Sequence, residues 1–151
     1  MKKIVVLVKQ VPDSTEIRVD KVTGTLIRAG VPSIINPDDL AGVEAALQLK
    51  EKYGATVDII TMGPPQATEM LKELYARGVD NCILITDRKF AGADTCATSS
   101  TLAAALEKNG FDLIIAGRQA IDGDTAQVGP QTAERLNIPQ VTYVDEIIDL
   151  K

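Results

Sequence analysis

Four short apolar runs constrain this chain more than anything else in it: Ile4–Val8, Val57–Thr61, Cys82–Thr86 and Leu113–Ala116. Each is rich in Val and Ile, and each leads into a turn signal and then a helical pattern. A strand with one wet face alternates apolar and polar residues, and these runs do not. Strands buried on both faces read this way, which is the mark of a parallel sheet covered by helices. Strand–helix alternation then dictates right-handed βαβ crossovers. A fifth run, Val141–Ile148, alternates more and is expected at a sheet edge. The expected fold is α/β, a doubly wound, mostly parallel, five-stranded sheet.

The helices between the runs carry their own start and stop signals. Asn36 is a good N-cap, Pro37 suits the first turn, and Asp39 is placed to act as a capping-box partner. Leu40, Val43, Ala46, Leu47 and Leu49 keep a helical period up to Gly54. Pro64 opens a second helix that runs through Met70, Leu71, Leu74 and Tyr75 and stops at Gly78. Asp94 caps a third, which closes at Asn109-Gly110, and a fourth is expected from about Thr125 to Leu136. Ile17–Val19 and Thr25–Ile27 flank a Thr-Gly turn and predict a small hairpin. No repeat, charge run or low-complexity linker interrupts the 151 residues, so residues 1–151 are expected to form one domain.

Composition narrows the chemistry. The chain has no His, which excludes a His general base, a catalytic triad and a His-ligated metal site. The net charge of −5 argues against nucleic acid or an anionic membrane as the main partner. Cys82 and Cys96 lack metal-type spacing and predict two small buried residues in a reducing compartment. No run reaches the ~18 apolar residues of a membrane span. Met1-Lys2-Lys3 followed by Ile4–Val8 only imitates a signal peptide, because the apolar run stops at Lys9. A cytoplasmic protein is expected.

In an open parallel sheet, ligands bind beyond the carboxyl ends of the strands, at the switch point. The residues there are Lys9–Asp13 after the first strand, Met62–Ala67 after the second and Gly117–Pro130 after the fourth. The last segment opens Gly117-Arg118-Gln119-Ala120-Ile121-Asp122-Gly123-Asp124-Thr125-Ala126-Gln127-Val128. Its glycines allow close backbone approach, and the N–H groups of Thr125 to Val128 are expected to open a helix and favour phosphate. Arg118 adds positive charge. Spacing alone explains Asp122 and Asp124 equally well as caps of that helix, but beside a phosphate they are expected to hold the loop or a ribose hydroxyl while the amides bind the anion. Gly63-Pro64-Pro65 is better explained as an ordinary strand-to-helix turn than as a second anion seat, and Asn36–Asp39 as a helix start. Neither G-x-G-x-x-G nor G-x-x-x-x-G-K-[ST] occurs. No nucleophile–base pair is present either, so any reaction would have to come from a cofactor.

Three segments resemble the β subunits of electron-transfer flavoproteins: VVLVKQVPD over Val5–Asp13, INPDDLAGVEAALQL over Ile35–Leu49 and GRQAIDGDTAQVGP over Gly117–Pro130. The resemblance implies an adenine-nucleotide-binding α/β fold of the HUP type, in a heterodimer with a flavin-carrying α subunit. It also implies that Leu7, Lys9 and Asn36, Pro37, Asp38 and Asp39 lie around an adenosine. Met62 would sit at the second strand end, with Gly117–Val128 around ribose and phosphates. The family divides on what fills this site. The carrier branch holds a structural AMP and passes electrons from acyl-CoA dehydrogenases. The bifurcating branch holds a second FAD that takes hydride from NADH, with a flavin dehydrogenase and ferredoxin as further partners. The runs Asn36–Gly42 and Asp122–Val128 are more similar to the bifurcating branch, so the resemblance favours FAD. Members of this family are longer, and the chain is expected to be the N-terminal portion of such a protein.

A nucleotide-sensing module similar to universal stress proteins is the rival. Its G-x2-G-x9-G-[ST] loop does not fit glycines at 117, 123 and 129. A nucleotidyl-transfer enzyme lacks the loop that would hold a triphosphate.

Overall fold

The computed structural model describes residues 3–13, 18–19, 26–27 and 32–150. In chain order its elements are β1 (Lys3–Leu7), β2 (Gln10–Pro12), β3 (Arg18–Val19), β4 (Leu26–Ile27), β5 (Ser33–Ile35), α1 (Pro37–Tyr53), β6 (Thr56–Met62), α2 (Thr68–Arg77), β7 (Asn81–Ile85), α3 (Thr95–Asn109), β8 (Leu113–Ala116) and α4 (Val128–Arg135). The four apolar runs are the four strands of the central sheet, in the order β7-β6-β1-β8, with every neighbouring pair parallel.

Alternate residues of these strands feed two cores, which is why the runs are apolar throughout. Ile4, Val6, Val57 and Ile59 pack with Val43, Ala46, Met70 and Leu74 under α1 and α2. Val5, Leu7 and Ile60 pack on the other face with Leu102 and Leu106 of α3, and with Val128 at the start of α4. Helices on both faces make the sheet doubly wound, and each buried aliphatic side chain contributes roughly 1.5–3 kcal/mol.

A run that is apolar on both faces does not fix its own register. One buried acid does that here. Asp58 of β6 is 1% exposed and lies opposite both Val5 and Asn81. Its carboxylate accepts from Asn81 Nδ2 at 2.7 Å and Asn109 Nδ2 at 3.1 Å, and pairs with Lys3 Nζ at 3.0 Å. Burial pushes its pKa up, but these hydrogen bonds outweigh that and hold it below the usual carboxylate range. The network ties β1, β6, β7 and α3 together at the amino end of the sheet.

Two features depart from expectation, and the expected hairpin is present. The central sheet has four strands among the described residues, and the expected fifth over Val141–Ile148 does not form. Val141, Tyr143 and Ile148 are about four-fifths exposed, while Ile147 and Leu150 turn back to the core under α1, so the segment never aligns with the free edge of β8. The hairpin is present as the short antiparallel pair β3–β4, with Arg18 opposite Ile27; Ile17 and Thr25 lie outside the described residues. An unexpected antiparallel ribbon, β2 with β5, brings the chain from the end of β1 to the start of α1.

Candidate functional site

The switch point lies between β1 and β8. From β1 the chain leads to α1 on one face of the sheet, and from β8 to α4 on the other. The crevice between these diverging connections is where a ligand fits an open α/β sheet. Most of the candidate residues meet there through named contacts.

Asn36 is the hub. It occupies the N-cap position of α1 but makes no side-chain cap. It is fully buried, its backbone N–H donates to the Lys9 carbonyl at 2.9 Å, and its side chain crosses to the other loop. Nδ2 donates to the Gln119 carbonyl at 2.8 Å, and Oδ1 accepts from the Ile121 N–H at 3.1 Å. One side chain thus holds the β8–α4 connection against the end of β1. Pro37, exposed at the first position of α1, sets the helix direction.

Asp39 does not close a capping box, because the Asn36 N–H is already taken by Lys9. Its carboxylate instead accepts from the Lys9 N–H at 2.8 Å and faces the N–H of Gly117. Burial raises its pKa to about 6, against the opposing pull of hydrogen bonds from Lys9, Asn36 and Gly117. Gly117 lies so close that a Cβ there would overlap Asp39 Oδ1 and come within 2.7 Å of Asp39 N. Glycine is required for that approach, not for an unusual φ.

Asp39 carries a pH signature. The unperturbed carboxyl titrates near 3.8, so between 3.8 and about 6 the folded protein keeps a proton that the unfolded chain has released. This group therefore favours folding as pH falls through about 6, and above 6 the buried carboxylate costs about 3 kcal/mol. A carboxyl-carbon NMR titration is expected to give Asp39 a midpoint near 6. A midpoint near 4 would contradict the buried placement.

The two cations of the site are both engaged. Lys9 Nζ lies 2.7 and 2.8 Å from the two oxygens of Asp122. Arg118 Nε lies 3.5 Å from Asp38 Oδ2. Gln119 Nε2 donates to Asp124 Oδ1 at 3.0 Å. Asp122 and Asp124 are therefore loop-holding groups and do not cap α4, whose N-cap is Gln127 without a side-chain hydrogen bond.

The helix also begins later than expected, at Val128 and not near Thr125. The N–H groups of Gly123 and Asp124 turn back onto the Ala120 carbonyl, at 3.3 and 2.9 Å. Asp124 and Ala126 then take left-handed φ values of 50° and 53°, and Gln127 returns to the right-handed region. A left-handed residue followed by a right-handed one makes successive N–H groups converge into an anion-binding concavity. Among the described residues, no acceptor is recorded for the N–H groups of Thr125, Ala126 and Gln127. Gly123 precedes the helix start and Gly129 is the second residue of α4, so the two glycines stand on either side of it.

Leu7 and Met62 contribute differently. Leu7 is buried and Met62 half-buried in the core under α3 and α4, so Leu7 has only its strand-end backbone to offer a ligand. Gly63-Pro64-Pro65 is an ordinary turn into α2: Gly63 N–H donates to the Ile85 carbonyl and Ala67 N–H to that of Pro64. Both cysteines are free. Burial pushes the Cys82 thiol up to about 11, whereas Cys96 is exposed rather than buried, with Sγ 3.1 Å from Arg135 Nη2. No helix among the described residues is long and apolar enough to cross a membrane.

Residues 23–150 match the family profile described as electron transfer flavoprotein domain. The chain is 62% identical over 144 residues to the electron transfer flavoprotein subunit beta of Clostridium acetobutylicum, covering 95% of this chain and 56% of that protein. It is 59% identical over 147 residues to the caffeyl-CoA reductase-Etf complex subunit CarD of Acetobacterium woodii, covering 96% and 56%. It is 53% identical over 150 residues to protein FixA of Azotobacter vinelandii, covering 97% and 53%. The chain thus spans about half the length of the curated relatives it matches.

Proposed function

This chain belongs to the electron transfer flavoprotein family, on the side of its β subunits, and from that premise we propose that its switch point holds an FAD. The observation that carries the reading is the stretch of open N–H groups at Thr125, Ala126 and Gln127, next to an uncapped helix start. Amides at a helix start fit a phosphate, and the nearby cations Lys9 and Arg118 fit the charge of a pyrophosphate. Asn36, Pro37, Asp38 and Asp39 stand where an adenosine would lie, with Leu7 and Met62 at the strand ends below. The Gly117–Val128 loop would wrap ribose and phosphates through Gly117, Arg118, Gln119, Ala120, Ile121, Asp122, Gly123, Asp124, Thr125, Ala126, Gln127 and Val128.

When bound, FAD supplies hydride and electron chemistry that no side chain here can supply. The chain's own contribution is positional. Asn36 fixes the loop, Gly117 and Asp39 fix its distance from α1, and the open amides orient the phosphates. We further propose that residues 1–151 are one nucleotide-binding domain of a cytoplasmic protein. It would work in a heterodimer with an α subunit and carry electrons between NADH, a flavin dehydrogenase and ferredoxin by electron bifurcation. The similarity to CarD, whose name places it in a complex with a caffeyl-CoA reductase, supports a dehydrogenase-type partner. Any oxidoreductase activity would belong to the flavin-containing complex.

Flavin stoichiometry in the full-length heterodimer tests the proposal. Two flavins, one of them bleached directly by NADH without oxygen, are expected. One flavin with AMP in the acid extract would sink the FAD reading and leave a carrier subunit with a structural nucleotide. ATP binding without either would point to a stress-type module.

A narrower test uses Gly123. A Cβ at Gly123 meets nothing within 4 Å, so Gly123→Val is expected to fold with stability within about 0.5 kcal/mol of the parent. Nucleotide retention should nevertheless fall several-fold, because only the ligand can meet the new side chain. Full occupancy in this variant would remove Gly123 from the ligand path.

A further inference from the structure

We propose that Asp122 is an internal counter-ion that keeps free phosphate and other small anions off Lys9, and that only the phosphate of a nucleotide already held by its adenosine displaces it. The inference rests on the nucleotide reading above and adds a selectivity device to the same site.

Four acids, Asp38, Asp39, Asp122 and Asp124, surround the crevice, against two cations. Asp39 and Asp124 are tied into the frame of the site by hydrogen bonds, and the two cations are held in exposed ion pairs. Asp39 is buried on the Lys9 and Gly117 backbone, Arg118 reaches Asp38 on α1, and Asp124 is held by Gln119. The Lys9–Asp122 pair is as exposed as Arg118–Asp38 but closer, and its acid stands on the loop itself and not on α1. The ammonium sits 2.7 and 2.8 Å from both carboxylate oxygens, yet the two side chains keep 48% and 31% of their surface in water. An exposed pair of this kind is worth little in stability, so it exchanges partners readily. The Asp122 side chain makes no other hydrogen bond or ion pair among the described residues, and the neighbouring Gly123 has open space around it.

An intramolecular carboxylate competes at an effective concentration set by its tether, in the millimolar range or above. Free phosphate must beat that with charge alone, and at the same time approach the remaining acids. A nucleotide arrives with its phosphate already positioned by contacts to its adenosine, so its competition is intramolecular as well. Asp122 therefore discriminates between one phosphate attached to an adenosine and the same phosphate in solution.

The test uses the full-length protein with its natural subunit, stripped of bound nucleotide, with ADP and inorganic phosphate as probes. Asp122→Asn keeps shape and removes the competing charge. It is expected to bind ADP about three- to tenfold more tightly than the parent, and inorganic phosphate should become a competitor at about tenfold lower concentration. Lys9→Met is expected to weaken ADP about tenfold, and Lys9→Met with Asp122→Asn should behave as Lys9→Met alone, because the acid acts only through the lysine. If Asn at position 122 perturbs folding, Asp122→Ser reads the same contrast. ADP binding in the parent that is equal to or stronger than in Asp122→Asn overturns the counter-ion proposal alone and makes Asp122 a ligand contact. No ADP binding to the parent overturns the nucleotide reading and this proposal with it.

Discussion

Gly117→Ala is expected to empty the candidate site and to destabilise the fold by about 2–6 kcal/mol, one of the two largest effects of a single substitution in this chain. The added Cβ would overlap Asp39 Oδ1, and it would stand 2.7 Å from Asp39 N and 2.8 Å from the Asp38 carbonyl carbon. The last two are backbone atoms in the first turn of α1, and they cannot swing aside. Asp39 cannot retreat either, because its other oxygen is held by the Lys9 N–H at 2.8 Å. The end of β8 must therefore move away from α1. Overpacking of this sort costs roughly 1–3 kcal/mol, and exposing a buried carboxylate's hydrogen-bond partners adds about 1–3 more. Chemical denaturation and the nucleotide content of the purified protein check the two halves of the expectation. An unchanged denaturation midpoint with full nucleotide content would show that α1 and β8 are not in this contact. Gly123→Val is the control for the stability half, since it adds more bulk to the same loop where nothing in the protein stands in the way.

The central strands are legible in the sequence because burial on both faces demands apolar residues at consecutive positions, as in Ile4–Val8. The site is legible at the level of segments for a related reason. Once the strands are placed, topology brings the residues after β1 and after β8 to one crevice, whatever their side chains are. Spacing alone leaves the carboxylates open between capping the helix and holding the loop, and the structure takes the second, expected role. Asp122 and Asp124 have the spacing of helix caps, but Lys9 and Gln119 claim them, so the local signal loses to a tertiary one. The start of α4 is misplaced because nothing in Asp-Thr-Ala-Gln announces left-handed residues at Asp124 and Ala126. A non-glycine residue in that region is sustained by its surroundings, here the turn onto the Ala120 carbonyl.

The same reason explains the two features that periodicity conceals. Asp58 sits inside an apolar run and looks like an interruption, yet three donors from three different elements satisfy it, and no local pattern reports that. Val141–Ile148 has the alternation of an edge strand. Alternation states only that one face can be buried; a strand also needs a neighbour, and Ile147 and Leu150 find the α1 core instead.

Asn36→Ala is expected to have the second large effect, and it separates a helix cap from a loop anchor. As an N-cap alone, Asn36 would cost about 1 kcal/mol on truncation, and Asn36→Ser would restore it, because serine is as good a cap. The structure predicts otherwise. The side chain is fully buried and makes no cap; it satisfies the Gln119 carbonyl and the Ile121 N–H on the facing loop. Truncation leaves a part-buried acceptor and donor unpaired at about 1–3 kcal/mol each, so a total of about 2–6 kcal/mol is expected. Serine is too short to span both groups and should not rescue. The functional loss should exceed the loss of stability. Freed from Asn36, the loop from Gly117 to Gln127 no longer presents its open N–H groups at a fixed distance from Lys9, so nucleotide retention should fall at least tenfold under conditions where the variant is still folded. Amide hydrogen exchange supplies the structural readout: Ile121 should lose protection in Asn36→Ala while Leu40, whose N–H donates to the Asn36 backbone carbonyl at 3.0 Å, keeps it. Loss of protection at Leu40 with Ile121 unchanged, or full rescue by Asn36→Ser, would return Asn36 to the role of an ordinary helix cap.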